Sequence, residues 1–341
     1  MKKQNGAALI TVLVIVFLVM AIITNITVRN YRVIRRLTNQ KVMEQAYAIL
    51  YAAVDFGRAG LATSGATSQI DTLTDIWAQP IPKTKVLDDI QMSGYITDEQ
   101  SKFNINDLVS NGAVNPQVLN QFSSLLNYLN IPPSIAYNVA YYMASPQNAT
   151  SITSLYTQGT PAYSPAGRPL IDLSELLLVK GVRPEWVYKL NQYVTAIPQP
   201  TNYAAESASQ NSTPPANPPN QAPTGSKTIL VNINTASAEV IAAKSGIPLP
   251  IAQRMATIRT ATPFRSTEDI TNFLGSNGII LSQTSSQGST NVNVNTLTTN
   301  SSYFTIHAIV DSGDYEFKWV ALVQRTTRGG QWPQILWQHP E

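Results

Sequence analysis

The chain has 341 residues, 43% of them hydrophobic and only 13% charged, with 22 prolines, two histidines and no cysteine. Disulfides, thiolate metal sites, a cysteine nucleophile and a multi-histidine metal centre are therefore excluded. The net charge of +3 divides into +6 over residues 1–36, which contain no acid, and −3 over the remainder, so the body lacks the basic surface that tracking phosphates requires.

Residues 7–28 (AALITVLVIVFLVMAIITNITV) carry no charge. As a helix at ~1.5 Å per residue this run reaches ~33 Å, enough to cross a bilayer core of ~30 Å. The small residues Gly6, Ala7 and Ala8 precede the apolar run, whereas a cleaved secretory signal has its small residues after it. With no proline or glycine up to Leu50, one helix of roughly 50 residues is predicted, apolar all round at first and amphipathic afterwards. In its later part Val33, Leu37, Val42, Ala46 and Ile49 recur at intervals of three to five, a stripe suited to partner helices.

A short basic leader ending in glycine (MKKQNG) followed at once by an apolar helix resembles the type IV pilin superfamily. In that family a prepilin peptidase cuts after the glycine on the cytoplasmic side. The resemblance implies a leader of residues 1–6, a cut between Gly6 and Ala7, and a new amino terminus at Ala7. The leader lysines fit a cytoplasmic start, while Arg29, Arg32, Arg35 and Arg36 beyond the span count in the opposite direction. Major pilins and pseudopilins carry glutamate at the fifth mature position; here that position is Thr11. The family's glutamate pairs in the membrane with the amino terminus of a neighbouring subunit, and a carboxylate in hydrocarbon is costly without a partner. Thr11 therefore fits a tip subunit, which has no subunit ahead of it.

Beyond the helix, residues 85–96 (KVLDDIQMSGYI) read as a strand with Gly94 at a bulge or turn. At the other end, YFTIHAIV and FKWVALVQR are joined by Asp311-Ser312-Gly313-Asp314, a hairpin signal, and Arg328-Gly329-Gly330 turns into a last strand near residues 334–337. The stretch 104–288 reads as mostly helical, interrupted at 198–227 by seven prolines among Ser, Asn and Gln, a linker composition. Three times a helix end meets a proline-bearing hairpin and a second helix: LLNYLNIPPSIAYNVAYY, LLLVKGVRPEWVYKLNQY and IAAKSGIPLPIAQRMATI, with Gly181 and Gly246 at helix C′ positions in two of them. FNIN at 103–106 and VNIN at 231–234 each precede a helix and offer asparagine N-caps, so the insert reads as two related halves.

Residues 231–274 resemble the helix-hairpin-helix modules of DNA-uptake and repair proteins, down to PFRSTEDI. Such modules bind phosphate through backbone N–H groups of a glycine-containing hairpin. Pro248 and Pro250 have no N–H to offer and the second hairpin glycine is missing. That leaves Arg254, Arg259 and Arg265 for phosphate, against the plainer reading of a packing module. Catalysis has little to stand on: His307 is mid-strand without an adjacent acid, His339 is near the carboxyl end, and Ser174-Glu175 has no base. Tyr137, Tyr141 and Tyr142 have helical spacing and read as core.

The whole chain resembles the pseudopilin K family of the type II (general) secretion pathway, through the leader, Thr11, FNINDL at 103–108, RPLIDLSELLLVKGV from Arg168, VNINTA at 231–236 and the carboxyl-terminal strands. The resemblance implies an α+β, pilin-like fold: a transmembrane helix (7–60) on a small antiparallel sheet (61–103 and 289–341), with a large inserted α-helical domain (104–288) of helix-hairpin-helix-like repeats. It implies a non-catalytic inner-membrane protein with its body in the periplasm, capping the pseudopilus tip with minor pseudopilins I and J. Prepilin peptidase, the major pseudopilin and the secretion platform are the other implied partners, and nucleic acid is not among them. The family holds calcium through an acidic stretch after the first helical pair. The matching residues 142–147 have no carboxylate, Asp172 and Glu175 are explained equally well by N-capping, and Asp311, Asp314 and Glu316 are explained better by a solvated hairpin turn, so calcium is doubtful and no cofactor is assigned. Two other classes stay open: a minor pilin of a true type IV pilus, and a membrane-anchored DNA receptor.

Overall fold

The long stretch without proline forms one helix, α1 (Asn5–Thr67), in the computed structural model of the chain. The structure describes residues 5–87, 90–148, 150–158, 162–198, 228–279, 292–313, 315–326 and 330–341. Most of the leader, the proline-rich stretch from residue 199, the last part of the helical insert, Asp314 and Arg328-Gly329 lie outside the described residues. From Leu9 to Lys41, α1 is exposed around its whole circumference, with Phe17 at 76%. Further on, Ala46, Leu50, Ala53, Val54 and Leu61 are buried against a sheet. The helix outlasts the predicted 7–60, and Leu61 to Thr67 belong to it and not to the sheet. Glycines at 57, 60 and 65 each cost about 1 kcal/mol relative to alanine in a free helix, but here packing decides. A Cβ on Gly57 would lie 3.0 Å from the Ile306 Cγ2, so glycine lets the helix approach the sheet.

The sheet has five strands, β1 (Ile81–Leu87), β2 (Ile90–Asp98), β3 (Tyr303–Ser312), β4 (Tyr315–Gln324) and β5 (Gln334–Pro340), adjacent in that order and all antiparallel. Alternation along the strands sends Phe304, Ile306, Ala308 and Val310, with Ala321 and Val323, into the core with α1. Residues 85–96, read as one strand, are the two arms of the β1–β2 hairpin. Gly94 makes no turn: it pairs with Ala308 in mid-strand on one side and on the other stands opposite Ile81 at the edge of a bulge in the β1 pairing, and a Cβ there would meet the His307 carbonyl oxygen at 2.5 Å. The β3–β4 hairpin closes as predicted, with Ser312 opposite Tyr315 and Gly313 at φ +58°.

Between β2 and β3 lies the helical insert, with a second hydrophobic core of its own. It contains α2 (Pro116–Tyr128), α3 (Ser134–Met143), α4 (Thr150–Thr157), α5 (Pro184–Leu190), α6 (Ala238–Ser245), α7 (Leu249–Ile258) and α8 (Thr267–Ser276). Leu173–Leu178, read as an α-helix, is a 3₁₀ turn. The same bonds occur twice. Phe103-Asn104 pairs in parallel with Val194-Thr195, and Val231-Asn232 pairs in parallel with Leu297-Thr298. The Asn106 amide accepts from the Leu170 N–H at 2.8 Å and donates to the Leu170 carbonyl at 2.9 Å. The Asn234 amide does the same with Phe264, at 2.9 and 2.8 Å. Two residues past each clasped position a capping box opens, Asp172 with Glu175 and Ser266 with Asp269.

The asparagines are therefore not α-helix caps. The caps of α2 and α6 are Asn115 and Ser237. Asn104 caps only the 3₁₀ turn Ile105–Leu108, Asn232 likewise accepts from the N–H two residues on while donating to Ser301, and Asn234 is buried with its amide spent on Phe264. A turn between each Asn-Ile-Asn and the following helix points these side chains inward, where a buried amide must find partners.

Candidate functional site

Along α1, Gly6 and Ala7 fall in the first turn, and Thr11 lies one turn further in the exposed apolar section. The predicted partner stripe divides into two. Val33 and Leu37 are exposed, at 50% and 59%, and stay available to another helix. Ala46 is fully buried and Ile49 packs on the same core, so these two are spent on the protein's own sheet, and Val42 is half-buried at the boundary. Periodicity alone does not distinguish an apolar face that meets its own sheet from one that awaits a partner.

Where the sheet meets the insert, the structure builds a dry polar joint from five separate segments. Arg325, just past β4, donates to the Asp71 carboxylate at 2.6 Å and to the Ser301 carbonyl at 2.7 Å, and reaches the Leu61 carbonyl of α1 at 3.3 Å. Both charged side chains are 1% exposed. Gly65 makes room, since a Cβ there would lie 3.0 Å from the arginine's Cδ. Asp98, the last residue of β2, accepts hydroxyl bonds from Ser301 and Thr235, both at 2.6 Å, and an N–H bond from Gln100 at 2.8 Å. Asn232 donates to Ser301 Oγ at 2.8 Å and to the Asp71 carbonyl at 3.1 Å. The joint thus ties the distal end of α1 and two strand ends to the second half of the insert.

A second buried pair ties the insert's halves together. Lys244 of α6 lies 3.0 Å from Asp107, both 1% exposed, with its ammonium 4.9 Å from the centre of the Phe103 ring. Asp107 also accepts from Asn104 at 2.8 Å and from the Ile229 N–H at 3.0 Å. Burial pushes the Asp107 carboxyl up, against the pull of Lys244.

Burial also pushes Asp98 up to about 6, opposed by the bonds from Ser301, Thr235 and Gln100, with the Asp71 charge adding to the rise. The unfolded chain returns it to 3.8. The native state therefore holds this proton more tightly, so the stability the group contributes is fully present below pH 3.8 and is lost as pH rises through about 6. Such a gap corresponds to about 3 kcal/mol. Asp98→Asn should remove this pH dependence, gaining on the native chain by up to about 3 kcal/mol as pH goes from about 4 to 7. Denaturant unfolding at several pH values measures it; an unchanged slope in the variant would rule it out.

The remaining sequence candidates are accounted for locally. Arg259 donates to the carbonyls of Ile233, at 2.5 Å, and Ala236, so it is turned inward, and burial pulls its pKa down to about 10. Arg254 and Arg265 stay exposed. At the place matched to calcium, Ser145 donates its N–H to the Gly112 carbonyl at 2.9 Å and Asn148 donates to the same carbonyl at 3.0 Å. These neutral groups satisfy one another and do not fit a calcium ion, which takes six to eight oxygens, usually several carboxylates. Among the described residues no three His, Asp or Glu side chains group to hold a metal. Asp172 and Glu175 are engaged in capping, and Asp311 and Glu316 pair with Lys83 and Lys318, both at 2.9 Å. His307 stacks on Tyr95 with ring centres 4.4 Å apart, and His339 stacks on Trp337. Tyr142 is core, as read, whereas Tyr137 is 45% exposed and packs on Tyr141.

Neither buried pair was legible beforehand. Lys244 carries the one available signal, the lone basic residue in a helix of mostly small and apolar residues (AEVIAAKS).

Comparison with known proteins places these features. Residues 101–199 and 231–290 match two family models, each described as type II secretion system (T2SS), protein K. The type II secretion system protein K of Pseudomonas aeruginosa is 28% identical, over 96% of this chain and 91% of its own length. That of Klebsiella pneumoniae is 28% identical over 58% of this chain, which spans 64% of its length. A chain in the crystal structure of the GspK-GspI-GspJ complex from the enterotoxigenic Escherichia coli type 2 secretion system superposes with a TM-score of 0.65 at 19% identity, covering 90% of this chain and 99% of that one.

Proposed function

The chain belongs to the type II secretion system protein K family, and from that premise we propose that it is the tip subunit of the periplasmic pseudopilus, capping it together with minor pseudopilins I and J. One helix among the described residues is long and apolar enough to cross a membrane, which fits a single-pass anchor. The proposal adds that this helix is cut between Gly6 and Ala7 by prepilin peptidase, anchors the chain in the inner membrane, and holds the body in the periplasm.

The observation that carries the capping role is where the insert is fastened. The joint grips α1 at Leu61 and the loop just beyond it at Asp71, the end of the helix farthest from the apolar section. The inserted bulk then stands over the position a further subunit would occupy. Thr11 supports the same place, because a tip subunit has no neighbour ahead to supply an amine for a glutamate there.

Cells carrying a deletion of residues 104–288 test the reading. The remaining helix and sheet should still enter a fibre, and secretion and the control of fibre length should be lost. Normal secretion with fibres of normal length would overturn the capping role. Separately, Gly6→Val should leave the leader attached, read by mass analysis of the membrane-extracted chain, while the unaltered chain should start at Ala7.

A further inference from the structure

Beyond the apolar section, Arg29, Arg32 and Arg36 recur at spacings of three and four, on one face of α1. All three are exposed, and among the described residues none has an ion-pair partner in its own chain. The first acid in the sequence is Glu44, about 12 Å beyond Arg36 along the helix. Arg35 is differently placed: its Nε donates to the Tyr31 hydroxyl at 2.9 Å and its guanidinium lies 5.2 Å from that ring's centre.

Depth along the helix locates the trio. With the apolar run starting at residue 7, Arg29 stands ~33 Å along, at the far edge of a hydrocarbon core of ~30 Å. Arg32 and Arg36 follow ~5 and ~10 Å further, through the headgroup layer. Tyr31, between them, is a residue type that favours this interface. Basic residues beyond a span on the non-cytoplasmic side run against the usual orientation preference, so their placement calls for a compensating contact. A guanidinium is a fixed fork of donors that matches a phosphate's oxygens in pairs.

We propose that Arg29, Arg32 and Arg36 form a binding face for anionic phospholipid headgroups in the leaflet on the body side of the membrane, fixing the depth of α1. The proposal rests on the single-pass reading above and extends it to the lipid. Zwitterionic lipids offer the same phosphate but no net charge, so anionic lipid is preferred.

The full chain, reconstituted in bilayer discs of phosphatidylcholine with a minority of phosphatidylglycerol, provides the test. Lipid retained after extraction should be enriched in phosphatidylglycerol by roughly 10- to 100-fold, as three arginines near a charged surface allow. Arg29→Gln with Arg32→Gln and Arg36→Gln should abolish the enrichment, while Arg254→Gln, an exposed arginine of the insert, should keep it. Since the chain has no cysteine, Asn30→Cys takes a single fluorophore, and its depth should shift when phosphatidylglycerol is omitted. Inorganic phosphate should displace no more lipid than chloride at equal ionic strength.

Equal retention by the triple variant, or displacement by phosphate beyond that by chloride, would overturn the proposal. So would a triple variant that keeps its lipid but fails in secretion, which would assign the arginines to an acidic partner protein. Protease accessibility of the body in spheroplasts reads orientation independently. A protected, cytoplasmic body would defeat the functional reading, whereas loss of enrichment with the body exposed would defeat only the lipid contact.

Discussion

Arg325→Met should destabilise the full chain in detergent by about 3–5 kcal/mol, the range for removing one partner of a buried ion pair. The variant leaves the Asp71 carboxylate in a dry site and strips donors from the Leu61 and Ser301 carbonyls. It also removes the guanidinium packed 4.9 Å from the Phe304 ring centre. Arg325→Lys should recover little, because one ammonium does not reproduce a planar fork reaching three acceptors. Adding Asp71→Asn to Arg325→Met should recover part of the loss by removing the stranded charge. Denaturant unfolding checks all three; an Arg325→Met chain within about 1 kcal/mol of the native one would mean that the joint is not the dry lock described.

Lys244→Met should cost about 3 kcal/mol near neutral pH, at the lower end of that range. Asp107 keeps its bonds from Asn104 and Ile229, which limits the loss. Burial already pushes this carboxyl up, and removing the lysine takes away the main opposing pull, so Asp107 should take up a proton in the variant as pH falls. The variant's deficit should then shrink on acidification, whereas a deficit due to lost packing would not. Asp107→Asn combined with Lys244→Met should be less harmful than Lys244→Met alone. Unfolding of the three chains across a pH series separates these cases, and a deficit that stays constant with pH would count against the charge argument.

These residues show where sequence reading ends. The apolar helix, the terminal hairpin and motifs such as FNINDL and VNINTA are local patterns, and they were sufficient for the family and for an α+β, pilin-like fold. Asp71, Asp98 and Arg325 are surrounded by unremarkable neighbours, and their partners stand as far as 264 residues away in the chain. The Asn-Ile-Asn segments suggest helix caps, because capping is the short-range use of asparagine, while clasping Leu170 and Phe264 is a tertiary one. Gly94 suggests a bulge or turn by its usual local role, but what also demands glycine there is a carbonyl on the neighbouring strand, which no local pattern shows. The α1 stripe was read as a single surface because period 3.6 is the same against a sheet as against another helix.

The sheet holds α1 only from about Ala46 onwards, and residues 9–41, about 50 Å of helix, extend from that grip fully exposed. Such a rod is a lever with a short gripped arm and a long free one. Each degree of rotation at the grip moves the amino-terminal end sideways by about 1 Å, so repacking around Gly57 and Ile306 by a few tenths of an ångström is amplified at Thr11. In a bundle of neighbouring helices, the sideways position of the amino terminus would therefore be set by the helix–sheet contact at the far end of α1.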